Sequence, residues 1–156
     1  MTDRFVVVPA AYVLLLRPSS RPGHAGEREV LLLLREGTGF MDGHWASVAG
    51  HVEKGESVYD AAAREAAEEV DVHDLALTPL CSIHRTGAGA PVDERVDWFF
   101  TATTWSGEPR VVEPQKSGGI GWFPLTALPT PVVPHELTVL QHLRAGAVPP
   151  ILTHGF

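Results

Sequence analysis

The sequence has one cysteine, Cys81, in 156 residues. A single cysteine cannot form a disulfide within the chain, and this cysteine usage fits a reducing compartment such as the cytoplasm. We expect the thiol to be a small buried strand residue, because free cysteines are among the most buried side chains. A disulfide-stapled scaffold is therefore excluded.

Basic residues are also few. Twelve Lys and Arg stand against 19 Asp and Glu, which gives a net charge of -7, and the basic residues are scattered along the chain. Neutralising a nucleic-acid backbone requires clustered Lys and Arg. The composition therefore argues against a nucleic-acid polymer as partner. It leaves a small phosphorylated substrate open, because metal ions could bridge two anionic partners.

No apolar stretch is long enough to cross a membrane. The longest, Phe5 to Leu16, has twelve residues, and Pro9 and Tyr12 interrupt it. It also lacks a basic segment beyond Arg4 and a small-residue cleavage site, so it does not read as a secretory leader. We expect a core strand there, central in a sheet, and no membrane partner.

Internal repeats and low-complexity segments are absent as well. With 44% hydrophobic and 20% charged residues, the composition is ordinary for a soluble globular fold. A chain of this length predicts a single domain, residues 1–156. We expect it to act as a monomer or a homodimer.

The most informative stretch is a predicted helix from Ser57 to Val70. Ser57 and Asp60 form a start that resembles a capping box, and a run of Ala, Arg and Glu favours helix. A turn of about 100° per residue places three glutamates within one arc. The opposite, apolar face should pack inward and consists of Tyr59, Ala63, Ala66, Ala67 and Val70. The three glutamates are Glu65, Glu68 and Glu69.

Three like charges on one outward face repel each other, so a cation would stabilise them. Oxygen ligands without nearby cysteine or paired histidine favour magnesium or manganese over zinc. The alternative is an acidic face that is simply solvated, which is what most charge clusters are.

The residues around this helix follow a longer pattern. Gly50 is followed after five residues by Glu56, then after seven by Arg64 and Glu65, and after two more by Glu68 and Glu69. This spacing resembles the Nudix box. One fixed position departs from it, because Asp71 stands where the family pattern has glycine. We expect Asp71 to adopt the left-handed conformation there, which Asp tolerates better than most residues.

The resemblance implies an α/β fold, the Nudix α/β/α sandwich with a mixed sheet and a catalytic loop-helix-loop. It implies hydrolysis of a nucleoside diphosphate linked to another moiety, with Mg²⁺ or Mn²⁺ as cofactor. Carried over by residue, the carbonyl near Gly50 and the carboxylates of Glu65, Glu68 and Glu69 would bind metal. Arg64 would orient these carboxylates, and Glu56 would brace the loop.

Other side chains are weaker candidates. Glu113 lies in a predicted loop, and some Nudix enzymes draw a further carboxylate from such a region; the alternative is a solvated loop residue. The eight histidines form no pair at helical spacing, so we expect scattered surface or core positions. Four aromatic residues could stack on a base, although we expect most of them to build the core. They are Trp98, Phe99, Trp105 and Trp122.

For the substrate, residues 94–129 are similar to the MutT-related branch of the family. This favours a nucleoside triphosphate, with oxidised purine ones as candidates, cleaved to monophosphate and pyrophosphate. In the oxidised-purine enzymes of animals a Trp and paired acids follow the last strand, whereas here residues 133–136 read Val-Pro-His-Glu. The alternatives are a pyrophosphatase for ADP-ribose or another nucleoside-diphosphate sugar, and a sensing domain that binds nucleotides without turnover. An isoprenoid-diphosphate isomerase is disfavoured because Cys81 is a poor reactive thiol.

The remaining pattern predicts strands that alternate with turn-rich segments. The strands Leu75 to His84 and Arg95 to Thr104 should pair as neighbours across a loop at Gly87 to Pro91. A terminal helix should run from Pro134 to Arg144 and end at Gly146. The other predicted strands are Glu29 to Arg35, Trp45 to Val48 and, as the last one, Ile120 to Phe123.

Overall fold

The computed structural model describes residues 3–87 and 89–156 of the chain. Ala88, part of the predicted loop at Gly87 to Pro91, lies outside the described residues. No helix in the described ranges is long and apolar enough to cross a membrane. The elements in chain order are β1 (Val8–Pro18), β2 (Arg28–Arg35), β3 (Trp45–Ala46), β4 (Val48–His51), α1 (Val58–Val70), β5 (Leu77–Arg85), β6 (Arg95–Ala102), β7 (Ser117–Pro124), α2 (Pro134–Ala145) and β8 (Ile151–His154).

The predicted central strand is confirmed. β1 pairs in parallel with β6, from Val8 opposite Arg95 to Leu15 opposite Ala102. Along its other edge it pairs antiparallel first with β4 and then with β2. The combination of parallel and antiparallel ladders makes the sheet mixed, with the order β3-β2-β1-β6-β5-β8.

Side chains of β1 alternate between two hydrophobic cores, because successive strand residues point to opposite faces of a sheet. One core holds α1 and the other holds α2, which gives the predicted α/β/α sandwich. The α1 core includes Ala11, Val13 and Leu15 with Ala61, Ala62, Ala66 and Val70. The α2 core includes Ala10, Tyr12, Leu14 and Leu16 with Val139, Leu140 and Leu143.

The predicted strand from Trp45 to Val48 is instead two short strands. β3 pairs with β2, and β4 pairs with β1, so the chain changes partner at Ser47. The buried Glu136 of α2 explains the break, because its Oε1 accepts hydrogen bonds from both the N–H and the hydroxyl of Ser47. The N–H of Ser47 is therefore not available for a backbone hydrogen bond in the ladder with β2 or β1.

The predicted pairing of β5 with β6 is confirmed as an antiparallel ladder. The prediction that Ile120 to Phe123 forms the last strand is wrong, because β8 pairs in parallel with β5 at the sheet edge. Four residues with mostly exposed side chains carry too little hydrophobic pattern to reveal such a strand. The terminal helix ends as predicted at Gly146, which is left-handed with φ 82°.

Candidate active site

The helix α1 begins and ends as predicted. Ser57 caps it, since its hydroxyl accepts the N–H of Asp60 at 3.1 Å. Asp71 ends it in the left-handed conformation, with φ 57° and ψ 40°. The Asp71 carboxylate also contacts His73 Nε2 at 3.0 Å and Arg110 Nε at 3.1 Å. This non-glycine residue is therefore held by two side-chain contacts in the conformation that glycine favours.

The predicted faces of α1 are only partly correct: Ala66 and Val70 are buried and Glu68 is exposed, but Tyr59 and Ala63 do not pack inward. Tyr59 is 48% exposed and Ala63 is exposed, whereas Ala61 and Ala62 are fully buried. At about 100° per residue, Ala62 lies close to Glu69 around the helix axis. The buried face of α1 therefore carries carboxylates at the edge where the helix meets β4.

Glu69 lies deepest of the three glutamates. It is partly buried, and its Oε2 accepts the N–H of Ala49 in β4 at 3.1 Å. Burial raises the pKa of Glu69 well above its ordinary value, and the charge of Glu65 adds to this rise. Burial also raises the pKa of Glu65, whose side chain is 13% exposed, while Glu68 is 54% exposed. The cluster thus runs from an interior carboxylate to a solvated one.

Gly50 lies directly against this cluster. A Cβ built at Gly50 would stand 2.0 Å from Cδ and from Oε1 of Glu65, which no real contact allows. The resemblance implied that the backbone carbonyl near Gly50 binds a metal ion, and a residue without a side chain allows that close approach. In the structure the absent side chain makes room for a carboxylate beside the backbone.

Arg64 connects the carboxylates to the loop before the helix. Its guanidinium donates to both oxygens of Glu56 at 2.7 and 2.9 Å, to Glu65 at 2.8 Å and to Glu68 at 3.2 Å. It also donates to the carbonyl of His51 at 3.0 Å. These hydrogen bonds from Arg64 lower the pKa of Glu56 to about 2. The predicted bracing contact of Glu56 is thus a forked ion pair between the loop and the helix.

The glutamates line a cavity of about 510 Å³ between α1, β4 and the loop before β7. Glu113, singled out from the sequence, lines it too and forms an ion pair with Lys116 at 3.2 Å. Its negative charge contributes to the raised pKa values of Glu65 and Glu69. The chain therefore brings together all the carboxylates that the sequence nominated.

These donors suit a hard divalent cation. They are carboxylate oxygens, and burial with neighbouring negative charge raises the pKa of Glu65 and of Glu69. A positive charge among them would relieve both the repulsion and the cost of burial. Within residues 3–87 and 89–156, no three acidic, histidine or cysteine side chains are already closed around a common point. Arg64 instead holds Glu65 and Glu68 by hydrogen bonds, and its guanidinium supplies the local positive charge.

A second cavity, of about 640 Å³, adjoins the first across β4. The two cavities share five lining residues, Arg35, Ser47, Ala49, Gly50 and His51. The inner wall of the second cavity carries side chains that sequence reasoning did not connect: Tyr12, Arg85, Arg95, His135 and Glu136. In the sequence, residues 133–136 differ from the Trp and paired acids of the oxidised-purine enzymes of animals. No local spacing relates that segment to the two arginines.

The aromatic and thiol candidates lie elsewhere, as expected. Phe99 is 1% exposed and stacks on Tyr12 at 4.4 Å between ring centroids. Trp105 and Trp122 stack on each other at 5.9 Å and pack against the α1 core, as does Trp98. None of these four aromatic residues lines either cavity.

Cys81 is buried in β5, and burial raises the pKa of its thiol to about 11. The thiol is therefore protonated at neutral pH, as expected for a structural cysteine. Among the histidines, His135 is 4% exposed, and burial lowers its pKa to about 2. It is thus a neutral core histidine, hydrogen-bonded to the Tyr12 hydroxyl at 3.1 Å.

Known proteins share this sequence and fold. The chain is 30% identical over 121 residues to the human 8-oxo-dGDP phosphatase NUDT18, covering 76% of this chain and 36% of that protein. It is 32% identical over 130 residues to the NAD-capped RNA hydrolase NudC of Pseudomonas aeruginosa, covering 78% of this chain and 43% of that protein. The chain therefore spans about two fifths of the length of these curated relatives.

Among solved structures, a MutT NUDIX hydrolase from Burkholderia pseudomallei superposes with a TM-score of 0.73 at 29% identity. The match covers 87% of this chain and 97% of that one. The model of the NUDIX domain family matches residues 8–143, a range that contains the glutamate helix, Gly50 and β1 to β7. Spacing, fold and family match agree, and the chain belongs to the NUDIX domain family.

Proposed function

We propose that this chain hydrolyses the diphosphate bond of a nucleoside diphosphate linked to another moiety, with Mg²⁺ or Mn²⁺ as cofactor. The observation that carries the proposal is that three glutamates of α1 line one cavity together with Gly50, against which Glu65 packs directly. A bound divalent cation would neutralise non-bridging phosphate oxygens and lower the pKa of a water molecule.

The chain's own residues have distinct proposed roles. Glu65, Glu68 and Glu69 hold the cation together with the carbonyl near Gly50. Arg64 orients these carboxylates through its hydrogen bonds to Glu65 and Glu68, and its forked pair with Glu56 keeps the loop in place. Holding the groups in advance lowers the reorganisation that the reaction would otherwise require.

Glu113 is proposed as a substrate-side residue of the same cavity. It lines the cavity and pairs with Lys116, and its loop is hydrogen-bonded to the end of α1 through the N–H of Val112 and the carbonyl of Glu69. From there it can accept a hydrogen bond from the substrate or from a water molecule. Its role differs from that of the α1 glutamates because it belongs to a loop rather than to the helix.

As the substrate class we propose a nucleoside triphosphate, including oxidised purine ones, cleaved to monophosphate and pyrophosphate. The similarity to a MutT hydrolase supports the triphosphate. The similarity to an 8-oxo-dGDP phosphatase supports the oxidised purine base, although that relative is named for a diphosphate. A second candidate is ADP-ribose, another nucleoside-diphosphate sugar or a dinucleotide. The size of the second cavity and the two arginines on its wall favour this alternative, as does the similarity to an NAD-capped RNA hydrolase. That relative acts on capped RNA, so a capped RNA substrate tests the expectation that this chain has no nucleic-acid partner.

The test is a substrate panel assayed with Mg²⁺ and with Mn²⁺, with products identified by mass. It includes 8-oxo-dGTP, unmodified nucleotides, ADP-ribose, NADH, diadenosine polyphosphates and a capped RNA. We expect metal-dependent cleavage within a diphosphate, and loss of cleavage in the Glu69→Gln variant. Binding of nucleotides without any turnover would instead support the sensing alternative. If ADP-ribose or a dinucleotide is cleaved more efficiently than every triphosphate, the triphosphate proposal is wrong.

A further inference from the structure

Arg85 and Arg95 face each other on the wall of the second cavity. They are direct cross-strand partners in the β5–β6 ladder, at the end of β5 and the start of β6. Their side chains are only 13% and 14% exposed. Like charges directly opposite each other destabilise a sheet, and the effect is larger when water is largely excluded. The pair therefore requires negative charge nearby.

Among the described residues, one buried carboxylate forms ion pairs with both guanidinium groups. Asp97, fully buried, accepts from Arg85 Nε and lies 3.9 Å from Arg95 Nε. The longer contact is too long for a hydrogen bond, and Arg95 Nε is a buried donor that has no acceptor among residues 3–87 and 89–156. The remaining bond from Arg95 goes to the carbonyl of Val92 at 3.3 Å. Arg95 is thus the incompletely satisfied partner.

The other polar groups on this wall do not supply the missing charge. Burial raises the pKa of the Tyr12 phenol, so its hydroxyl is neutral, and His135 is neutral for the reason given above. Glu136 is only partly ionised at neutral pH, because burial raises its pKa to about 7, and its Oε1 accepts hydrogen bonds from Ser47. In the described residues it forms no ion pair with Arg85 or Arg95. Asp93, at the cavity mouth, makes no ion pair with either arginine in the part of the chain that the structure describes.

The position of this pair relative to the glutamate cavity is set by the sheet. Ala10 of β1 pairs with His51 on one side and with Asp97 on the other. His51 and Asp97 are therefore separated by two strand spacings, about 10 Å. His51 lines both cavities, and its pKa is lowered by burial and further by the charge of Arg95. One molecule can reach from the glutamates to the arginines.

We propose that the second cavity binds an anionic group, a phosphate or a carboxylate, that the substrate carries beyond the diphosphate held at the glutamates. Arg95 is the main donor to this group, and Arg85 contributes the second positive charge. The inference rests on the proposed function, because it assigns the far end of the same substrate. The anion has two sources, the end of a polyphosphate chain or a substituent on a second sugar.

Matched substrates that differ by one anionic group distinguish these sources. NADPH with NADH and UDP-glucuronate with UDP-glucose report on a sugar-borne anion, whereas dGTP with dGDP reports on the polyphosphate end. For each pair the readout is the ratio of the two KM values. We compare Arg95→Gln with Arg144→Gln, which removes the same charge at an exposed position of α2. We also compare Arg95→Lys, which keeps the charge.

In at least one pair the more anionic substrate should have the lower KM. Arg95→Gln should reduce that ratio about tenfold relative to Arg144→Gln, the scale of one charge-assisted hydrogen bond. Arg95→Lys should retain part of the ratio. The inference is overturned if, for all three substrate pairs, the KM ratio of Arg95→Gln agrees with that of Arg144→Gln within about twofold. Arg95→Met provides the same test should the glutamine variant not fold.

Calorimetric Kd values separate this inference from the proposed function. They are measured for the same pairs in Glu69→Gln, with and without Arg95→Gln, so no turnover is needed. If nothing is hydrolysed but the Kd ratio still depends on Arg95, the anion site stands and the hydrolase proposal fails. If hydrolysis occurs and neither KM nor Kd ratios depend on Arg95, the proposed function stands and the anion site is wrong.

Discussion

Gly50 and Glu65 compete for the same space: a Cβ at residue 50 would stand 2.0 Å from Glu65 Cδ. The backbone of β4 and the carboxylate of α1 are therefore in direct van der Waals contact. Both residues line the glutamate cavity, so this contact forms part of its wall.

Gly50→Ala should displace the Glu65 carboxylate and lower kcat at least about tenfold, as when the support of a metal ligand is lost. The fold should persist, because the atom that must move belongs to a flexible side chain. The control is Gly119→Ala in β7, where a Cβ would meet nothing within 4 Å. Steady-state kinetics and circular dichroism check both variants. Equal kcat in the two would show that Glu65 can relocate without loss of function.

Glu69→Gln, and separately Glu68→Gln, should lower kcat at least about 100-fold with little change in folding. An amide oxygen can still accept the Ala49 N–H, so the contact of residue 69 with β4 survives. The variant of the buried residue should also be more stable without metal, because it removes a carboxylate whose pKa burial has raised. Kinetics at saturating Mg²⁺ and thermal melts with and without Mg²⁺ measure both effects. Near-wild-type turnover in both variants would refute the metal assignment.

Asp71→Gly should be as stable as wild type or more stable, whereas Asp71→Ala should be less stable. Glycine relieves the left-handed strain and loses the contacts to His73 and Arg110, while alanine loses the contacts and keeps the strain. Activity should survive in both. Denaturant midpoints at pH 7 give the order directly. A midpoint of the glycine variant clearly below that of alanine would mean that backbone strain is not the dominant effect.

Glu136→Gln should remove a pH dependence of stability. The carboxyl pKa of about 7 in the folded state lies above its ordinary value of 4.5, so the folded chain binds this proton more tightly. Its contribution is full below pH 4.5 and is lost as the pH rises through 7, a change on the order of 3 kcal/mol. As the pH rises from 4.5 to above 7, the free energy of unfolding of the glutamine variant should therefore increase relative to that of wild type.

Urea unfolding of both proteins at pH 4.5, 5.5, 6.5 and 7.5 measures the difference in the free energy of unfolding. Comparing them at each pH cancels the opposite contribution of His135, whose lowered pKa costs stability as the pH falls below 6.5. A difference that does not change with pH would show that the pKa of Glu136 is the same in the folded and unfolded states.

The sequence predicted what depends on short spacing. Residues close together in the chain were enough to predict the helix, its cap at Ser57 and the left-handed Asp71. They also indicated a close approach of the backbone at Gly50. The packed face of α1 did not follow from the sequence. The helical positions of the three glutamates show that they share one side, but not whether that side faces solvent or β4. The hydrogen bond from Ala49 to Glu69 settles it, and that contact belongs to tertiary structure.

The second cavity could not be predicted for the same reason. Ser47 and Glu136 are 89 residues apart, and Arg85 faces Arg95 only because β5 and β6 pair in one particular register. A shift of that register by one residue would turn one of the two arginines to the other face of the sheet. The edge strand β8 was missed because so short a segment carries little hydrophobic pattern.

The parallel pairing of β1 with β6 affects how the chain is made as well as how it is held. Residues 8–15 leave the ribosome long before residues 95–102, and a segment of about 80 residues must close before the two strands meet. During that interval one edge of a strongly apolar strand has no partner, which is the kind of surface that aggregates or recruits chaperones. The most buried strand of the finished sheet is thus the most vulnerable part of the nascent chain.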